Sequence, residues 1–158
     1  MRFRNLKKKK QLQDKKLKEQ QTKVYYAKYT DRIKALITDM FMIYAPILYI
    51  ITYVFLDGKD EFQSSQIAPL IGVTLYGLIY AILLSKLAQT PGKKAYIIKV
   101  VDSKTYEKIS FLRAFWRFVA FLITATTLLG LFLPFYRKDK KALHDILAST
   151  VVIVDKVN

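Results

Sequence analysis

The chain has 158 residues, of which 53% are hydrophobic, and yet it carries a formal net charge of +15. It contains no cysteine, which excludes disulfides, thiolate chemistry and cysteine-based metal sites. High apolar content and strong basicity coexist when the apolar residues gather into runs of about 20, long enough as helix to cross roughly 30 Å of hydrocarbon, so an integral membrane protein is expected.

Residues 1–30 hold eleven Lys or Arg against Asp14 and Glu19. They read as a solvated, partly helical arm, distinct from a membrane domain over 31–158. Its run Lys7, Lys8, Lys9 and Lys10 is the candidate contact with anionic lipid headgroups, each basic residue near such a surface contributing roughly 1 kcal/mol. No aromatic-interleaved basic motif accompanies it, so nucleic acid is not an expected partner. A cleavable signal peptide is not expected either, because the arm lacks an apolar core. Short loops rich in Lys and Arg stay in the cytoplasm, which sets the N-terminus there.

Three apolar runs follow, at about 33–55, 67–87 and 114–134. The first opens with "DRIKALITD" and holds an aspartate, Asp39, where lipid is expected. Seven residues is nearly two helical turns, so Arg32 and Asp39 share a face about 10 Å apart along the axis. A carboxylate costs about 2.5 to 3.5 kcal/mol at the centre of a spanning helix and faces a bundle interior or a hydrated cavity. Asp39 is therefore a site candidate, and a buried ion pair with Arg32, Arg113 or Arg117 is the alternative.

The acidic loop Leu56–Gln66 then falls outside, and residues 88–113, with six basic residues, return to the cytoplasm. Within them "TPG" marks a turn and "AYIIKVVD" a strand, which together suggest an interfacial hairpin. Arg113 and Arg117 share a face at the start of the third segment beside Trp116. They read as snorkelling anchors, with Arg117 deep enough to pair with Asp39. The third segment has the length of one span, but four basic residues follow it and oppose export of the tail. A re-entrant course turning near Thr126–Phe132 is the alternative. The tail "KALHDILASTVVIV" begins helical and ends strand-like. His144 has no second His or acidic pattern suited to a metal, no cofactor motif is present, and no nucleophile elbow or phosphate loop marks an enzyme.

Together "DRIKALITD", "TPGKKAYIIKVVD", "RAFWR" and "ALHDILASTVVIV" resemble the RDD family of small bacterial membrane proteins, from about Tyr25 to Val154. The family is named for an arginine and two aspartates, matched here by Arg32, Asp39 and Asp145. The resemblance implies a multi-pass protein of the bacterial inner membrane. A ligand-transport role has been suggested for the family, and sodium/proton antiport for some members. If the three residues act as one cluster, Asp145 must lie on the side of Arg32, which favours the re-entrant course.

The expected fold is an all-α membrane protein, a small bundle of two full transmembrane helices plus a third embedded segment, an interfacial hairpin and a strand-like tail. Arg32, Asp39 and Asp145, completed by Arg113 and Arg117, are the ion- or ligand-binding candidates. Two functions follow: transport of a cation or small solute, with a homo-oligomer forming the pathway, or a scaffold that binds anionic lipid and whose buried charges are structural.

Overall fold

The computed structural model describes residues 2–22, 24–127, 129–138 and 140–155. The basic arm forms a helix, Arg2–Thr22, with Lys7 to Lys10 exposed. Among the described residues, two helices are long and apolar enough to cross a membrane, Tyr29–Phe55 and Ile67–Leu87. Only 22% and 33% of their most apolar windows are covered by the rest of the fold, far too little for core helices of a water-soluble protein. Phe41, Tyr53, Val54 and Leu70 are among the side chains left exposed, and such a continuous apolar surface requires lipid around it.

The first span starts four residues earlier than expected and contains two π-helical stretches, Met40–Tyr44 and Ile51–Phe55. The former immediately precedes Pro46, whose ring clashes with the carbonyl of the residue four before it and which donates no hydrogen bond. Widening the turn ahead of it accommodates both effects. A short helix, Lys59–Ser64, lies between the spans at their far end.

After the second span the chain forms a short helix, Pro91–Ala95, and strand β1, Ile98–Asp102. The strand foreseen here does not fold into a hairpin of its own. It pairs antiparallel with the tail strand β2, Thr150–Val154, from Ile98 opposite Val154 to Asp102 opposite Thr150. Residues just before the first span join the other edge of β2: Ala27 donates its N–H to the Val152 carbonyl at 3.1 Å, and Val154 donates to Tyr25 at 2.8 Å. With backbone bonds on both edges, β2 buries its apolar run almost completely.

The third segment consists of two helices, Phe111–Thr127 and Leu129–Tyr136. The second folds back along the first and reaches the short helix Leu143–Leu147. Its Phe135 ring meets Tyr29, at the start of the first span, edge-on at 4.8 Å. The segment therefore turns around within the bundle, and the tail emerges at the end from which the segment entered. The core lies beside that end, where Tyr76, Tyr80 and Leu84 of the second span pack with Phe118, Ala114, Ile98 and Val152. Phe118 lies so close to Gly77 that a Cβ there would approach its ring to 2.3 Å.

Residues 24–28, 88–110 and 142–155 thus share one end of the two long helices, and Lys59–Ser64 marks the other. In membrane vesicles a membrane-impermeant maleimide is expected to label Lys28→Cys and Leu147→Cys from the same side and Asp60→Cys from the opposite side. Labelling of Leu147→Cys together with Asp60→Cys would overturn the folded-back third segment.

Candidate functional site

The two aspartates anticipated as one cluster occupy two adjoining sites. Asp39 is fully buried and receives donors from the turn after the second span. Thr90 donates its hydroxyl to one carboxylate oxygen at 2.5 Å, and the Gly92 N–H donates to the other at 2.7 Å. The Lys93 ammonium stands 3.7 Å away. The sequence "TPGKK" builds this latch. Thr90 is the N-cap of the short helix, with its side chain accepting from the Lys93 N–H. Pro91 occupies the first helical position, where a missing donor is harmless. Gly92 brings its backbone against the first span so closely that a Cβ would lie 2.1 Å from the Ala35 carbonyl oxygen.

Asp145, also fully buried, is the partner of both arginines. Arg32 donates to it at 2.9 Å, Arg117 forms a very short ion pair with its other oxygen, and the Ala142 N–H donates at 3.1 Å. Arg117 also reaches the Thr150 and Tyr80 hydroxyls, and Arg32 the Val152 carbonyl. The expected pairing of Arg117 with Asp39 is therefore replaced by Arg117 with Asp145. The physical reason is that the tail returns beside the third segment and delivers a carboxylate directly to Arg117. Burial alone would raise the Asp145 carboxyl, but Arg117, helped by His144 and Arg32, outweighs it and holds the group at about 2.

Arg113 stands apart from both aspartates. It clamps Asp102 at 2.5 Å and the carbonyls of Ala148 and Ser149 at 3.0 and 2.8 Å, securing the turn before β2 to the end of β1. Its role in this arrangement is to hold the sheet. Lys7 to Lys10 lie on the exposed arm and take no part in either cluster.

Between the first span, the second span and the third segment lies a cavity of about 110 Å³. Arg32, Lys93 and Arg117 line it together with Tyr76, Tyr80 and Phe118, and among the described residues no carboxylate does. Asp39 and Asp145 hold these cations from behind. Lys93 completes the wall with its ammonium 4.9 Å from the Tyr80 ring centroid, a cation–π arrangement. The contributions of Thr90, Lys93, Tyr76 and Tyr80 escape sequence reasoning. A capped turn and two tyrosines in an apolar run announce packing, and only the second span's placement against the latch turns them toward a site.

The RDD family model matches residues 26–149, a stretch that contains Arg32, Asp39 and Asp145. This chain belongs to the RDD family. No curated protein and no solved structure gave a significant match. Family membership and the two apolar helices make it a membrane protein, and the site just described is built largely from residues inside the RDD domain.

His144 adds a pH dependence. Burial, reinforced by Arg117, Arg32 and Lys93 and opposed by Asp145, lowers its imidazole to about 4, and its ring meets Phe121 edge-on. A group held neutral in the fold but protonated when unfolded removes stability as pH falls from about 6.5 toward 4, at up to about 1.4 kcal/mol per pH unit. It is the sole histidine, so no other side chain ordinarily titrates in the upper part of that interval, above the carboxylate range. Asp145, depressed from 3.8, adds a second loss below about pH 4. The midpoint of thermal unfolding is expected to decline between pH 6.5 and 4.5 in the native chain and to stay level over that interval in His144→Gln. A level midpoint in the native chain would show that the imidazole charges freely in the fold.

Proposed function

We propose that this RDD membrane protein binds an anionic ligand in the cavity at the sheet-bearing end of its spanning helices. That end faces the cytoplasm of a bacterial inner membrane. The observation that carries the reading is the sign of the cavity wall: three cationic side chains and no carboxylate among the described lining residues. Charged hydrogen bonds from arginine to carboxylate or phosphate oxygens are among the strongest a protein offers, and in a partly buried site they are screened little by salt.

A cation fares differently. Each oxygen of Asp39 already accepts a hydrogen bond, from Thr90 and from Gly92, and each oxygen of Asp145 is held by an arginine. Sodium or a proton would have to displace those donors and then face the remaining positive charges. The family's suggested cation exchange therefore gains no support from this cavity, whereas an anion meets donors already in place.

The test uses purified protein in nonionic detergent. Sodium phosphate is expected to raise the unfolding midpoint above that in sodium chloride of equal ionic strength. At ten times the dissociation constant the stabilisation is about 1.4 kcal/mol, equivalent to roughly 3–6 °C for a chain of this size. Replacing sodium by N-methylglucamine is expected to change nothing. A midpoint that follows sodium and ignores phosphate would reverse the reading.

The exposed Lys7 to Lys10 on helix Arg2–Thr22 support a second activity, adherence to anionic lipid. A polarity-sensitive fluorophore on Gln13→Cys, the only thiol in that variant, is expected to shift to the blue in nanodiscs containing anionic lipid. The shift should vanish at high salt. Identical spectra in neutral and anionic discs would remove this activity.

A further inference from the structure

Among the described residues, three buried side-chain polar atoms have no hydrogen-bond partner: Arg32 Nε, the Tyr76 hydroxyl and His144 Nδ1. All three residues line the cationic cavity. Such orphans are rare in native interiors, where nearly every buried polar group is paired. Each leaves roughly 1–3 kcal/mol of desolvation unrecovered, so three around one cavity point to a ligand that satisfies them. Arg32 Nε and the tyrosine hydroxyl are donors. His144 Nδ1 can be a donor as well, because Nε2, 3.6 Å from Asp145, lies beyond hydrogen-bond length and leaves the ring proton free to sit on Nδ1. Donors of this kind, added to three cations, suit an oxyanion.

The rest of the cavity describes what the oxyanion is attached to. Ile33, Leu36, Phe118 and Phe121 supply an apolar wall. The second span packs along Phe111–Thr127 and against the middle of the first span, whereas among the described residues the first span meets the third segment chiefly through Tyr29 against Phe135. Ile33 both lines the cavity and is 41% exposed on a lipid-facing helix, so the cavity reaches the bilayer side of the bundle beside it. The floor is deep, for Tyr76 lies about 16 Å along the helix axis from Leu87 at 1.5 Å per residue. A volume of about 110 Å³ accommodates a compact headgroup and not an acyl chain in addition. A chain attached to that head finds an apolar exit beside Ile33, toward the bilayer.

We propose that the ligand is an anionic amphiphile, a phosphate or carboxylate head on an apolar chain. It enters sideways between the first span and the third segment, with Arg32, Tyr76 and His144 completing its coordination. This rests on the anion reading above and narrows it to a membrane-borne ligand rather than a free phosphate.

Full-length protein in neutral-lipid nanodiscs is titrated with decyl phosphate, kept below its micellar concentration, with inorganic phosphate and with decanol, and the unfolding midpoint is followed. Decyl phosphate is expected to stabilise at a concentration at least tenfold below that needed for inorganic phosphate, and decanol to have no effect. Tyr76→Phe removes only the orphan hydroxyl. It should keep the unliganded midpoint while raising the decyl phosphate requirement severalfold. Leu36→Trp narrows that exit and should abolish the advantage of the chain while sparing inorganic phosphate. Equal potency of the two phosphates would overturn the amphiphile and leave the anion site standing. Stabilisation by decanol equal to that by decyl phosphate, or by none of the three, would overturn both. Unchanged decyl phosphate binding in both variants would place its site elsewhere and refute the proposal.

Discussion

The ion pairs of Asp145 hold this protein together. A single carboxylate from the tail neutralises one arginine from the start of the first span and another from the third segment. None of the three is tolerable alone, since a charge stripped of water and left unpaired costs several kcal/mol. The requirement propagates outward. To bring Asp145 between Arg32 and Arg117 the third segment has to fold back, the tail has to return to the sheet-bearing end, and β2 has to lie between β1 and the residues preceding the first span. The second span then finds its tyrosines facing the same arginines.

Asp39 and its latch form the complement of that arrangement. Thr90 and Gly92 satisfy its oxygens and leave Lys93 above the Tyr80 ring. With Asp145 and Asp39 each engaged, the cationic groups that line the cavity are fixed in position. A pocket can be electropositive in a membrane only if the positive charges are held by counter-charges somewhere, and here the counter-charges are placed out of a ligand's way. The orphaned atoms on Arg32, Tyr76 and His144 show the same division, with one side of each group committed to the fold and the other not.

Much of this was legible in the chain and part was not, for reasons that differ residue by residue. Ile67–Leu87 carries no charge before Lys86 near its end, and its bounds follow directly from the requirement to cross hydrocarbon. Arg32 and Asp39 share a helical face by spacing alone, and the membrane cost of each announces that both need partners. Spacing cannot say which partner arrives, because Asp145 is 113 residues from Arg32 and reaches it only through the turn in the third segment. For the same reason β1 reads as half of a local hairpin, although its mate is the tail. Arg113 and Arg117, four apart on one helix, look equivalent, yet one turn of helix separates a sheet clamp from a buried ion pair.

The order in which the chain is made gives that long separation a further meaning. A ribosome delivers Arg32 and Arg117 to the membrane well before it delivers Asp145, and β2 later still. Until then both guanidiniums lack their counter-charge and the first span lacks the strand that anchors its base. The bundle can settle only when Asp145 and β2 arrive, so the fold of this domain waits on the last elements of its sequence. A product cut short before Asp145 would carry uncompensated arginines at the membrane boundary and an unpaired β1.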